Sequence, residues 1–88
     1  MRYLVVRVAQ YDGTKKEFPI MYAAALPEGT ASVIVDAMKS LDENAKVVSA
    51  GTATVNGTNV TCEGFDEELK VGSRGMQDEA LIRSIDHL

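Results

Sequence analysis

Two glycine-containing turns, Asp12-Gly13 and Asn56-Gly57, constrain this chain more than any other feature of its sequence. Both dipeptides tolerate the positive φ angles that tight hairpin turns require, and both separate runs of β-prone residues. The sequence therefore predicts two β-hairpins. The four predicted strands are about Arg2 to Tyr11, Glu17 to Leu26, Lys46 to Val55 and Thr58 to Phe65.

Each hairpin is followed by an amphipathic segment. After the first, apolar residues recur at steps of three and four, the period of a helix with one buried face. These residues are Ala31, Ile34, Val35, Met38 and Leu41. The hydroxyl of Thr30 or Ser32 can cap this helix at its first turn. A second helix opens at Ser73 or Asp78, and Leu81, Ile85 and Leu88 form its apolar stripe.

The resulting element order is ββαββα. We predict an α+β fold with a four-stranded antiparallel sheet and two helices packed on one face. Residues 1–88 form one domain, because 88 residues supply enough apolar surface for a single core. The order also fits a ββα pseudo-repeat of residues 1–44 and 45–88, or a coincidence of element order. Two alternatives remain for the segment after the fourth strand. Residues Phe65 to Leu69 could form a single helical turn, or residues Glu68 to Val71 could form a fifth strand, and the sequence does not decide between them.

The second strand is predicted to lie at the edge of the sheet. Pro19 has no amide hydrogen to donate, so a strand that contains it is disfavoured at the centre. The apolar run after Pro19 leaves two interpretations open, simple burial in the core or a surface shared between two copies of the chain. The candidate residues for this self-association edge are Ile20, Met21, Tyr22 and Leu26.

The charge of the chain is acidic. The chain contains nine Lys and Arg residues and thirteen Asp and Glu residues, which give a net charge of −4 and a pI of about 4.8. Nucleic-acid-binding domains usually carry a basic excess, because neutralising phosphates supplies most of their affinity. We therefore expect a protein partner, and neither nucleic acid nor a membrane. The alternative is a nucleic-acid module that uses Lys15-Lys16, with Tyr11 and Tyr22 for base stacking.

An acidic cluster follows the fourth strand. It contains Glu63, Asp66, Glu67 and Glu68. Its spacing lacks the alternating oxygen ligands and the central glycine of a calcium-binding loop, so we predict no metal there. The cluster is either a solvated turn or a contact patch for a basic protein partner.

No residue pattern indicates catalysis, a cofactor or a metal. Cys62 has no second cysteine and fits a small buried residue of a strand. His87 is next to the last residue, where a general base lacks supporting side chains. The loop Gly72 to Gly75 lacks a phosphate-loop pattern, although its amides and Arg74 support a third alternative, a small anion-binding protein.

The sequence predicts a cytoplasmic protein. Arg7 interrupts the first apolar run, which is not typical of a secretory signal, and the longest apolar stretch, Ile20 to Leu26, is too short to cross a bilayer. Together these features predict a non-enzymatic, acidic protein-interaction or regulatory domain of bacterial or phage type that associates with itself.

Overall fold

The main sheet has four antiparallel strands in the order β2-β1-β3-β4. The computed structural model describes residues 1–85. The elements are β1 Arg2–Ala9, β2 Lys15–Tyr22, α1 Thr30–Leu41, β3 Lys46–Asn56, β4 Asn59–Glu63, β5 Phe65–Asp66, β6 Val71–Gly72 and α2 Met76–Ile85. The predicted α+β class, the four-stranded antiparallel sheet and the two helices are confirmed.

The two hairpins form as the turn residues predict. Strands β1 and β2 pair antiparallel around Asp12-Gly13, and β3 and β4 pair around Asn56-Gly57. Both glycines have positive φ, 85° at Gly13 and 65° at Gly57. The predicted edge position of β2 is confirmed, since it pairs with β1 at one end of the strand order. Pro19 pairs with Val5 of β1.

The core lies on both faces of the sheet. Tyr3 and Val5 of β1 pack with Ile82 of α2, whereas Leu4 and Val6 pack with Ala31 of α1. Successive residues of a strand point to opposite faces, so α1 and α2 lie on opposite sides of β1. The predicted packing of both helices on one face is therefore not confirmed. A central strand that is apolar on both faces needs cover on both.

A β-bulge in β3 adapts the sheet to this arrangement. The pairing of β1 with β3 shifts between Val5 and Val6, so that Val48 has no partner of its own. Val48 packs against the α2 side of the core, and the next residue, Ser49, also bonds to α2. The extra residue therefore directs two consecutive side chains to one face.

The segment after β4 corrects the predicted element order. The short strands β5 and β6 pair with each other in a second sheet, so the order ββαββα is not confirmed. Neither the helical turn over Phe65 to Leu69 nor the strand over Glu68 to Val71 describes this hairpin. Its turn runs through residues 67–70, where Lys70 has a positive φ of 59°.

The helices depart in part from their predicted faces. Ile34, Val35 and Met38 of α1 pack against the core as predicted, but Leu41 is 84% exposed. The predicted stripe of α2 includes Leu88, which lies outside the described residues. Within residues 1–85, neither helix is long and apolar enough to cross a membrane.

Candidate functional site

Several of the sequence-predicted residues line a cavity at one end of the sheet, which we call the Arg2 cavity. Its volume is about 550 Å³. It lies between the end of β2, the start of α1 and the β5–β6 hairpin. Its lining is formed by Arg2, Tyr22, Ala24, Leu26, Pro27, Glu28, Gly29, Thr30, Ala31, Phe65, Asp66, Glu67 and Glu68.

The cavity brings together residues of two features that the sequence predicted separately. Tyr22 and Leu26 come from the candidate self-association edge. Asp66, Glu67 and Glu68 of the candidate acidic patch also line the cavity.

The remaining predicted site residues lie elsewhere. Ile20 packs in the core on the α1 side, and Met21 packs on the α2 side. Glu63 is exposed at the end of β4, opposite Thr52, and does not line the cavity.

An ion pair between Arg2 and Asp66 contributes to the cavity wall. The guanidinium Nη2 of Arg2 donates to Asp66 Oδ2 at 2.8 Å, and the exposed fractions of the side chains are 41% and 0%. The second carboxylate oxygen accepts the Leu69 amide at 2.9 Å. The amide of Lys70 donates to the carbonyl oxygen of Asp66 at 2.8 Å. Asp66 therefore shapes the β5–β6 turn and neutralises Arg2.

Glu68 caps helix α1 from a distant part of the chain. Its Oε1 accepts the Gly29 amide at 2.7 Å, and its Oε2 accepts the Ser32 amide and hydroxyl at 2.8 Å each. Gly29, at φ 91°, supplies no side-chain cap. The hydroxyl and amide of Ser32, and then the amide of Gly29, hold the pKa of Glu68 below its usual range. Carboxylates are stabilised at a helix N-terminus by the free amides and the helix dipole.

Tyr22 lines the cavity, and its hydroxyl is buried with no hydrogen-bond partner among the described residues. Burial raises its pKa, Arg2 opposes that effect, and the negative charges of Asp66 and Glu68 add to it. Leaving a buried hydroxyl unpaired costs about 1–3 kcal/mol, so most buried polar groups have a partner. Tyr22 is therefore the unsatisfied group of this site.

The walls of the cavity also expose apolar side chains. Phe65 is 55% exposed and Leu26 is 48% exposed. Glu67 also lines the cavity, and its ion pair with Lys70 is long, at 3.9 Å, with both side chains mostly in solvent. Such exposed pairs contribute little. The cavity combines apolar walls with an acidic rim.

A second cluster of charged groups lies on the other face of the sheet, around Asp78. The side chain of Asp78 is fully buried. Its Oδ2 accepts the Tyr3 hydroxyl at 2.6 Å and the Arg74 amide at 2.9 Å. Its Oδ1 accepts the Ser49 hydroxyl at 2.9 Å and Arg74 Nε at 2.8 Å. Burial opposes ionisation, but these bonds outweigh it and hold the pKa of Asp78 below its usual range.

Arg74 extends the Asp78 cluster to strand β2. Its Nη2 donates to Glu17 Oε1 at 2.9 Å, and Arg7 Nη2 donates to Glu17 Oε2, also at 2.9 Å. The hydrogen bond from Arg74 is the main reason that the pKa of Glu17 is lowered. Every charged group of this cluster therefore has an opposite charge beside it.

The predicted anion loop, Gly72 to Gly75, already uses its donors inside the protein. The Ser73 amide donates to the Gly64 carbonyl oxygen and the Gly75 amide to Ser73 Oγ, both at 2.9 Å. The amide and guanidinium of Arg74 bind Asp78 and Glu17. Anion binding by this loop stays a prediction, and an anion would have to compete with these two carboxylates.

The residues predicted to bind nucleic acid in the alternative interpretation are spread along β2 and the turn before it. Lys15 and Lys16 lie at the start of the strand, and Lys16 Nζ is 5.1 Å from the centre of the Phe18 ring. Tyr11 is fully exposed beside them, but Tyr22 lies at the opposite end of the strand. Six residues of β-strand separate Tyr22 from Lys16 by about 20 Å. Nucleic-acid binding stays a prediction.

Cys62 and His87 complete the predicted positions. Cys62 is buried on the α2 side, as the sequence predicted, and burial raises the pKa of its thiol. His87 lies outside the described residues. Among residues 1–85, no group of three or more His, Cys, Asp or Glu side chains is arranged to hold a metal ion.

Sequence reasoning missed Arg2, Phe65 and Asp78 as members of these clusters. Arg2 and Phe65 carry no local signal, because their partners come from distant positions of the chain. Asp78 did carry a local sequence signal, because an acidic residue at the third position of a helix can accept a free amide from just before the first turn. Here it accepts the Arg74 amide.

Comparisons with protein-family models, with curated proteins and with solved structures find no match to this chain.

Proposed function

We propose that this chain is a small acidic interaction domain that binds a protein partner at the Arg2 cavity. The observation that supports the proposal is the convergence of exposed Leu26 and Phe65 with acidic side chains around a recess of about 550 Å³. Apolar anchors surrounded by polar groups are typical of sites that bind proteins.

The charge distribution supports a basic partner. Glu28 and Glu67 line the cavity without a strong ion pair, whereas Arg2 is already neutralised by Asp66. An acidic surface attracts a basic partner at long range and speeds its association. The same charges disfavour phosphates and anionic membranes.

Affinity capture with a cavity variant tests this proposal. Phe65→Ser removes an aromatic wall, and Val55→Ser is the matched control, since Val55 is a 45% exposed apolar residue of β3 outside the cavity. We expect Phe65→Ser to reduce the partner recovered from extract of the native cell at least tenfold, while Val55→Ser retains it. Equal recovery by both variants, with circular dichroism showing that both are folded, would exclude the cavity as the binding site.

Self-association through β2 is a second proposal. The two edges of the sheet differ. At the β4 edge, the Cys62 amide donates to Glu79 Oε2 at 3.0 Å, and this bond blocks part of the edge. At the β2 edge, Phe18 is exposed. An open apolar edge promotes strand pairing between copies. We expect light scattering to give the mass of a dimer, and Phe18→Glu to give that of a monomer. A monomer mass for the unmodified chain at high concentration contradicts this proposal.

A further inference from the structure

We infer that the occupant of the Arg2 cavity is the side chain of an arginine presented by the protein partner. This inference rests on the proposed function and specifies the chemistry of the group that enters. Three observations support it: the charge balance of the lining, the unpaired Tyr22 hydroxyl and the exposed Phe65 ring.

The charge balance favours a cation. Among the described residues of the lining, Arg2 is the one basic group, and the acidic residues are Glu28, Asp66, Glu67 and Glu68. Asp66 is used by Arg2, and the amides of α1 offset Glu68. Among residues 1–85, Glu67 has only a long, exposed contact with Lys70 and Glu28 has no ion pair, so an incoming cation is attracted to these carboxylates.

The Tyr22 hydroxyl favours a cation that also donates hydrogen bonds. Its oxygen is buried, unpaired and placed near the carboxylates of Asp66 and Glu68, whose charges help to raise its pKa. A hydroxyl oxygen accepts from an N–H donor. A bound guanidinium can supply that donor once Tyr22 turns toward it, and so remove the cost of the unpaired group.

The apolar walls favour arginine over lysine. A guanidinium is planar and less strongly hydrated than an ammonium group, it stacks on aromatic rings, and its five donors can bridge several acceptors. Phe65 offers the ring and Leu26 offers contact for the aliphatic stem. A lysine would fill the same space with a point charge that is harder to dehydrate.

Titration of the full chain with three capped tripeptides, acetyl-Ala-Arg-Ala-amide and its Lys and Gln counterparts, tests the inference by NMR. We expect saturable shifts of the Tyr22 and Phe65 signals with the arginine peptide. A single anchored side chain gives a dissociation constant on the order of millimolar. The lysine peptide should bind several-fold more weakly and the glutamine peptide should not saturate.

Two variants locate the interaction. Glu67→Gln should weaken arginine binding by about two- to fivefold, the effect of one exposed carboxylate. Glu63→Gln is the matched control, because Glu63 is an exposed acid of the same sequence cluster that does not line the cavity. Equal effects of the two variants would overturn the inference.

The same titration separates this inference from the proposed function. Absence of saturable arginine binding, or equal binding of the lysine peptide, would also overturn the inference. If Phe65→Ser still reduces capture of the partner in that case, the cavity binds proteins by a different anchor. If Phe65→Ser has no effect on capture, the proposed function fails as well.

Discussion

Asp66 and Asp78 are both fully buried aspartates bound to an arginine, and their surroundings differ. Asp78 lies in the first turn of α2, and its partner Arg74 is 19% exposed and also binds Glu17. Asp66 contributes to the lining of a cavity, and its partner Arg2 is 41% exposed. The same ion pair is thus part of a closed network on one face of the sheet and part of an open site on the other.

The difference separates the closed structural network from the candidate site in this chain. Around Asp78, each buried donor meets an acceptor, so the cluster fixes α2 against β1, β2 and β3 and leaves nothing for a ligand. Around Asp66, the Tyr22 hydroxyl has no partner within the described part of the chain, and the Glu67 carboxylate makes only a long, exposed contact with Lys70. Unsatisfied groups, rather than charged groups as such, mark the candidate site.

Asp78→Asn should have the largest effect on stability. The substitution leaves Arg74 with less neutralising charge and places an amide NH₂ against groups that need an acceptor. Breaking a buried ion pair costs about 3–5 kcal/mol. Urea unfolding measures this loss, with Asp36→Asn, an exposed aspartate of α1, as the control. A loss below about 1 kcal/mol would show that the network is not structural.

Asp66→Asn should destabilise the chain less. Arg2 is partly exposed and can be solvated once its partner loses its charge, so the main cost comes from weaker bonding to Arg2 and Leu69. We expect a loss of about 1–3 kcal/mol in urea unfolding. Glu67→Gln, an exposed residue of the same turn, serves as the control. A loss as large as that of Asp78→Asn would mean that the two aspartates do not differ in the way described.

Glu68→Gln should have the smallest effect, and the effect should depend on pH. The folded-state pKa of Glu68 is lowered, so its contribution is complete above the ordinary value of 4.5 and disappears as the pH falls through the lower folded value. We therefore expect a slightly lower Tm than that of the parent chain at neutral pH. The two Tm values should converge in acid. A difference in Tm that stays constant into acid would contradict the cap formed by the ionised carboxylate.

The sequence predicted the strands better than it predicted the packing around them. Pro19 correctly indicated the edge strand. The two apolar faces of β1 contained the evidence against two helices on one face, because Tyr3 and Leu4 point in opposite directions and both are buried. The prediction of Leu41 as a core residue was wrong, since this last residue of α1 is mostly exposed.

The candidate site was only half visible in the sequence. Tyr22 and Leu26 were noted as an apolar edge, and Asp66, Glu67 and Glu68 as an acidic cluster. Arg2 was not noted at all, because its bond to Asp66 spans 64 residues of the chain. Glu68 reaches the Gly29 amide across 39 residues, and so takes the capping role that Thr30 or Ser32 was expected to fill.

The amino-acid sequence by itself determined the two hairpins and the two helices, because turn geometry and helical periodicity act between residues a few positions apart. Only the tertiary structure decided which face each helix covers and which distant side chains meet. Those outcomes depend on how whole surfaces pack: the sheet places Arg2 beside the β5–β6 hairpin, and the crossing helix α1 brings Gly29 to Glu68. The Arg2 cavity exists because three separate segments converge at that end of the sheet.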